Sequence, residues 1–259
     1  MNQQKEELFM LRHLEDLRSM AEHRYMVTYS DFLNLNDKNL FRSMNLPEDS
    51  YIAFGGYEFA ERQVIGFLPD ALFYEGVTEE EQQLAFPICC IRVTPKNPKF
   101  AEQLTHRDLL GALMNQGIER QLLGDILVLE DSYLIFCKEN IASFLTDQVT
   151  RIRHTEVRCI RIPLGEVHYQ PKFRLQTAQV ASNRLDAVLA EACRLSRGKA
   201  ADLIRGEKVF VNERIESRGT YSLKPMDVIS VRGIGKFQFL SFDGQTKKGK
   251  EKITFQWYD

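Results

Sequence analysis

Long apolar runs are missing from this 259-residue chain: none approaches the roughly 18 residues that a membrane-spanning helix needs. The opening stretch, MNQQKEELFM, has Glu6 and Glu7 where a secretory leader would carry positive charge and then an apolar core. No membrane insertion and a cytoplasmic location are therefore expected. CxxC spacing is absent as well. Of the five cysteines, Cys89, Cys90, Cys137 and Cys159 sit inside apolar, strand-like runs and Cys193 follows a helical pattern, so reduced, mostly buried thiols are expected rather than disulfides or a metal site. His13, His23, His106, His154 and His168 are scattered, with no HxxxH or HExxH, and Gly-x-Ser-x-Gly does not occur. Neither a metal, a cofactor nor an activated nucleophile is expected, and no catalysis that would need one.

Three near-motifs fail on inspection. HRD at 106–108 is similar to the catalytic loop of protein kinases, but Leu113 stands where the magnesium-holding Asn belongs, with no glycine-rich loop before it and no DFG after. Helix capping explains it better: Thr105 caps a helix and Asp108, three residues on, meets the free amides of its first turn. GIGKFQ at 233–238 has two glycines of a nucleotide loop, lacks the third, and opens no helix. NRLD at 183–186 is similar to the aspartate segment of pseudouridine synthases, yet it continues as AVLAEA, with Leu185, Val188, Leu189 and Ala192 at helical spacing.

What is present is an ordinary globular composition, 44% hydrophobic and 27% charged, enough for two or three cores. Its net charge of -2 conceals an asymmetry. Through residue 170 there are 17 Lys+Arg against 26 Asp+Glu, and from 171 onward 17 against 10, giving -9 and +7. A basic end on an acidic body fits a polyanion partner, although charge alone is equally compatible with an unevenly solvated surface.

Leu8, Leu11, Leu14, Leu17, Met20 and Ala21 recur at three- and four-residue spacings and predict an amphipathic helix over 1–27; a second helix follows YSDFLN, and Pro47 closes this region. From Tyr51 the pattern turns to short apolar runs with turn signals, in the order ββαββαβ. This predicts an α+β sandwich with helices on one face of an antiparallel sheet. PLGEVHYQP reads as a linker or edge segment before the basic third.

The most informative stretch is ACRLSRGKAADLIRGEKVFVNERI, at 192–215. Ala200, Leu203 and Ile204 form the apolar stripe of a short helix, with Arg197 and Arg205 on one flank. Ser196 is the expected N-cap, which puts Arg197 and Lys199 in the first turn, where side-chain charge and free amides both favour a phosphate. Gly206 ends the helix, Lys208 leads the strand KVFVN, and the chain turns through Asn212-Glu213 ahead of Arg214. Arg184, opening the preceding helix, reaches the same surface if the two helices pack by their apolar stripes. Together these cations suit the closely spaced phosphates of folded RNA.

From RLD at 184–186, through SR before Ala, LIRGEKVFVN and finally KPMDVISVRG, about fifty residues resemble the S4 RNA-binding domain. With HRDLLGALMNQGIERQLLGDILV and the flanking helices and strands, the whole chain resembles the YlmH family. Gly198 departs from the pattern, which favours a better helix former in that first turn. The resemblance implies a helical region at 1–50, a ferredoxin-like or RRM-like α+β domain at 51–163, a linker or edge segment at 164–180 and an S4 domain at 181–259. It further implies a non-catalytic protein that binds ribosomal RNA and tRNA on the large ribosomal subunit, in quality control of stalled nascent chains. The expected contacts are Arg184, Ser196, Arg197, Lys199, Arg205, Lys208, Asn212 and Arg214. The middle sheet lacks the aromatic RNP signature, and Arg151, Arg153, Arg158 and Arg161 are its basic candidates. The rival readings are an RNA-modifying enzyme using an S4 targeting domain, which would need a signature absent here, and a cell-division scaffold whose leading helices bind a protein partner.

Overall fold

The computed structural model describes residues 3–70, 76–246 and 249–258. The chain separates into two compact units, Met1–Tyr169 and Gln170–Asp259. In the first, α1 (Gln3–Arg24) turns Met10, Leu14, Leu17 and Ala21 inward, where they meet Phe41, Ile65 and Phe67. The expected stripe is partly corrected: Leu8 and Met20 stay exposed, because at 100° per residue Leu8 lies about 120° around the helix from Leu14. β1 (Thr28–Tyr29) leads to α2 (Leu35–Arg42), which opens on a capping box between Asn34 and Asp37. β2 (Tyr51–Phe54) and the fully buried β3 (Val64–Phe67) complete a small antiparallel sheet ordered β1-β3-β2. The leading helix thus shares a core with strands from beyond residue 50.

After α3 (Glu79–Leu84) come β4 (Ile88–Pro95), α4 (His106–Asn115), β5 (Leu123–Val128), β6 (Tyr133–Lys138), α5 (Ala142–Gln148), β7 (Arg151–Ile152) and β8 (Thr155–Ile162). The five strands are antiparallel neighbours in the order β5-β6-β4-β8-β7, a split βαβ arrangement with β4 and β6 at its centre. α4 begins as its sequence predicts: the Thr105 hydroxyl accepts from the Asp108 N–H at 3.3 Å, and the Thr105 N–H donates to the Asp108 carboxylate at 2.9 Å.

Alternation along the strands gives this sheet two buried faces. Cys89, Ile91, Val93, Ile135 and Cys137 pack with Leu109 and Leu113 of α4 and Leu145 of α5. On the opposite face Ile88, Cys90, Leu134 and Phe136 are covered by Phe32, Phe54, Tyr57, Val64 and Phe86. Phe136 is fully buried and stacks on Tyr57, ring centroids 4.8 Å apart. The loop carrying Tyr57 is fastened by Asp125, which accepts from the Tyr57 hydroxyl at 2.8 Å and from the Glu61 and Arg62 N–H groups at 2.7 and 3.1 Å. Burial raises the Asp125 carboxyl above its ordinary range.

The second unit consists of β9 (Phe173–Val180), α6 (Leu185–Ala192), α7 (Arg197–Arg205), β10 (Val209–Val211), β11 (Arg214–Ile215), β12 (Val228–Val231), β13 (Gly235–Gln245) and β14 (Glu251–Tyr258). Its strands form one antiparallel sheet ordered β11-β10-β12-β13-β14-β9. β9 falls within the stretch expected as a linker or edge; it pairs along its whole length with β14 and is an outer strand. Both helices pack on one face, where Leu185, Val188, Leu189, Ala200 and Ile204 meet Phe237, Phe239, Ile253 and Phe255. The chain is therefore α+β with antiparallel sheets, as the alternation of short apolar runs predicts. None of the described helices is long and apolar enough to cross a membrane.

Candidate nucleic-acid interface

The basic stretch folds into a corner of two helices followed by a strand. α6 begins at Arg184, whose extended backbone is bridged to Ser222, while the Leu185 and Asp186 N–H groups donate to the Tyr221 and Gly219 carbonyls at 2.8 and 3.0 Å. A Cβ on Gly219 would come within 3.3 Å of the Asp186 Cβ, a tight contact that glycine avoids where the segment after β11 passes the helix start. Backbone hydrogen bonds thus anchor the helix start. The Arg184 guanidinium is exposed and grips Asp186 through two hydrogen bonds of 3.1 and 2.7 Å.

Between the helices Arg194 adopts a left-handed backbone, φ 53°, and is exposed. Ser196 then caps α7, its hydroxyl accepting from the Lys199 N–H at 3.2 Å. Arg197 and Lys199 extend from this first turn into solvent, with no carboxylate partner among the described residues. Gly198 faces open space: a Cβ there would meet only the Ser196 hydroxyl, at 4.0 Å. The expected N-terminal cluster is present, and the cap forms despite the glycine.

The other expected residues lie elsewhere on the unit. Arg205 ends α7, about 12 Å along the axis from Arg197, and pairs with Asp202 on the same exposed face. Lys208 is exposed, and its carbonyl accepts from the Arg232 N–H at 2.9 Å, which brings those two cations to the same end of adjacent strands. Arg214 is half-buried in β11, opposite Val211. Asn212 is a turn residue. With Glu213 it has positive φ, 50° and 67°, the backbone of a two-residue type I′ hairpin loop. Its amide donates to Asp227 at 2.8 Å and accepts from the Val228 N–H at 3.0 Å, so one N–H and the oxygen are engaged inside the fold. Asp227 is buried and also accepts from the Lys224 N–H and the Tyr221 hydroxyl. Burial beside this carboxylate pushes the Tyr221 hydroxyl up to about 12.

Arg194 and Arg232 join the exposed cations and are absent from the expected set. Arg194 lies in the interhelical turn, outside either periodic segment, where a helical-flank argument does not reach. Arg232 is the arginine that closes KPMDVISVR, a part of the motif visible in the sequence. Of the middle-sheet candidates, Arg153 is held by Asp108 at 3.2 Å and Glu102 at 3.6 Å, and Arg161 by Glu139, whereas Arg151 and Arg158 are exposed. Among the described residues no group of three or more His, Cys, Asp or Glu side chains could hold a metal ion.

These features define a class: an α+β protein of two units, one acidic and one basic, with an exposed cationic corner on the basic unit. Residues 82–166, from the end of α3 past β8, match the family model described as "Putative RNA-binding domain in YlmH". The chain is 30% identical over 254 residues to the ribosome-associated protein quality control protein P2 of Bacillus subtilis (strain 168), covering 97% of this chain and 95% of that protein. It belongs to the YlmH family. A solved structure described as cell division protein ylmH from Streptococcus pneumoniae aligns with a TM-score of 0.47 and 23% identity, covering 62% of this chain and 93% of the other.

Proposed function

We propose that this protein is a non-catalytic RNA-binding factor of the ribosome, that residues 181–259 form an S4-type domain, and that its α6–α7 corner docks on structured ribosomal RNA or tRNA of the large subunit. The setting would be quality control of stalled nascent chains, in keeping with the name of the Bacillus relative. The observation that carries this reading is the start of α7. There Arg197 and Lys199 are exposed, and unpaired among the described residues, beside a Ser196-capped helix N-terminus, on a unit with 17 basic against 10 acidic side chains. Free backbone amides and helix-end polarity add to the two cations, and together they favour phosphate. Asn212 is left out of the proposed contacts because its amide serves the hairpin.

The first unit enters this reading differently. In RRM-type sheets the two central strands present aromatic side chains on which bases stack. Here the central strands are β4 and β6, and that face is closed by the Phe136–Tyr57 stack and its neighbours. RNA contact by residues 82–166 is proposed to occur outside the covered part of the sheet, with Arg151 and Arg158 as the exposed cations.

The test is a salt titration of binding to ribosomal RNA and tRNA fragments, paired with crosslinking in cells and sequencing of the attached RNA. Arg197→Ala should weaken binding and reduce the log–log salt slope by about 0.9 per lost duplex phosphate contact. An unchanged slope, or crosslinks scattered over messenger RNA, counts against the assignment.

A further inference from the structure

The two helices of the second unit pack on one face of its sheet; the opposite face is partly open, with Val228 and Gln238 buried on it and the side chains around them partly or well exposed. The strand registers align one side chain from each strand across that open face. Phe173 is opposite Tyr258, Tyr258 opposite Lys236, Lys236 opposite Ser230, Ser230 opposite Phe210, and Phe210 opposite Ile215. At the usual interstrand spacing this unbroken row is about 24 Å long. Each of these positions alternates with the buried residues Phe237, Trp257, Ile229 and Val209, so the row points away from α6 and α7.

The chemistry of the row is aromatic and cationic. Phe173 meets Tyr258 edge to face at 5.2 Å, the Lys236 ammonium lies 4.8 Å from the Tyr258 ring centroid, and the Arg232 guanidinium lies 4.9 Å from that of Phe210. Phe173, Leu175 and Ile215 are 41, 64 and 50% exposed, more apolar surface than a solvated sheet face requires. Asp243, a carboxylate on this face, is engaged by the Ser241 and Thr254 hydroxyls, which both donate to it. Lys252 adds a further exposed cation on β14.

From this juxtaposition we propose that the open face is a second RNA site, which takes a single strand laid across the sheet. Bases stack on Phe173, Tyr258 and Phe210, and the intervening phosphates are met by Lys236 and Arg232. Stacking on an aromatic ring accepts any base, and cations already gathered at those rings lie one residue from where each phosphate would pass. A duplex does not fit this chemistry, since its bases are stacked on one another and unavailable to the rings. The site is therefore complementary to the α6–α7 corner and independent of it: one reads folded RNA by its phosphates, the other an unpaired segment by its bases.

The experiment uses the full-length protein, with fluorescence anisotropy of a labelled oligouridylate of about 12 nucleotides, within the range of single-strand site sizes, and of a labelled RNA hairpin. Tyr258→Ala should weaken oligouridylate binding about tenfold, in the range measured for lost stacking, while Tyr258→Phe keeps it and both variants bind the hairpin normally. Lys236→Gln should lower the oligouridylate salt slope by about 0.7 for a lost single-strand phosphate contact. Unchanged oligouridylate affinity in Tyr258→Ala overturns the proposal. So does parallel loss of both ligands, which would mean one shared surface or a damaged fold. No oligouridylate binding by the native protein, with the hairpin still bound, also overturns it and leaves the face to a protein partner. If oligouridylate binds and the hairpin does not, the α6–α7 reading falls and this one stands.

Discussion

Arg184 and Arg197 are both exposed, yet a phosphate would reach them at different cost. Arg197 has no carboxylate to leave among the described residues, whereas Arg184 must give up two hydrogen bonds to Asp186. An exposed ion pair of this kind contributes about 0.2–1 kcal/mol, so the exchange is cheap. Asp186→Asn removes the competitor and one negative charge, and should tighten binding to structured RNA by up to about fivefold in the same anisotropy assay. Weaker binding would mean that Asp186 holds Arg184 in the pose that RNA needs. Asp108 illustrates a different use of a carboxylate. Hydrogen bonds from Thr105, and then the Arg153 charge, hold its carboxyl below the ordinary value near 3.8. Its folded-state value is depressed, so its contribution to stability is complete above the unfolded value and disappears as pH falls through the folded one. The difference in Tm between native protein and Asp108→Asn should be constant near neutral pH and shrink on acidification below about pH 4.

At the scale of single elements, α7 and the β10–β11 hairpin make opposite predictions for the residue that looks least suited to its place. Gly198 sits inside a helix with open space where a Cβ would go. Gly198→Ala should raise stability by about 0.5–1 kcal/mol, measured by urea denaturation, and leave the Ser196 cap in place. Asn212 has the left-handed backbone that Asn tolerates better than most residues, and its amide satisfies both Asp227 and the Val228 N–H. Asn212→Ala should cost about 1–3 kcal/mol, since it leaves the buried Asp227 short of a donor. If stability is unchanged and RNA binding falls instead, Asn212 belongs in the interface after all. The capping box at Thr105–Asp108 and the simple cap at Ser196 were both legible from spacing alone, because each joins residues three apart.

For the whole molecule, the division at Tyr169/Gln170 separates chains of opposite charge, and each unit has its own core. The full-length protein should unfold in more than one calorimetric step, and Phe237→Ala, in the core of the second unit, should lower one step and leave the other in place. A single transition shifted as a block would refute separate cooperative units. The acidic unit repels phosphate at long range and the basic one attracts it, so binding should orient the protein toward RNA by its second unit and weaken steeply with added salt.

The sequence by itself determined α1, α4, α6 and α7, the caps, the Asn212-Glu213 turn, the charge division and the exposed flank of α7, because each depends on periodicity or on neighbours a few residues apart; β9 it left within a linker or edge segment, because that strand is defined by its pairing with β14. It did not determine that Leu8 and Met20 leave the α1 stripe, that Asn212 is spent on Asp227, or that Phe136 is sealed beneath Tyr57. Those depend on partners 15 and 79 residues distant, or on which side of a helix its neighbours occupy. The aromatic row on the second sheet was likewise hidden, since its members come from strands spread between Phe173 and Tyr258 and become neighbours only through the register of the folded sheet.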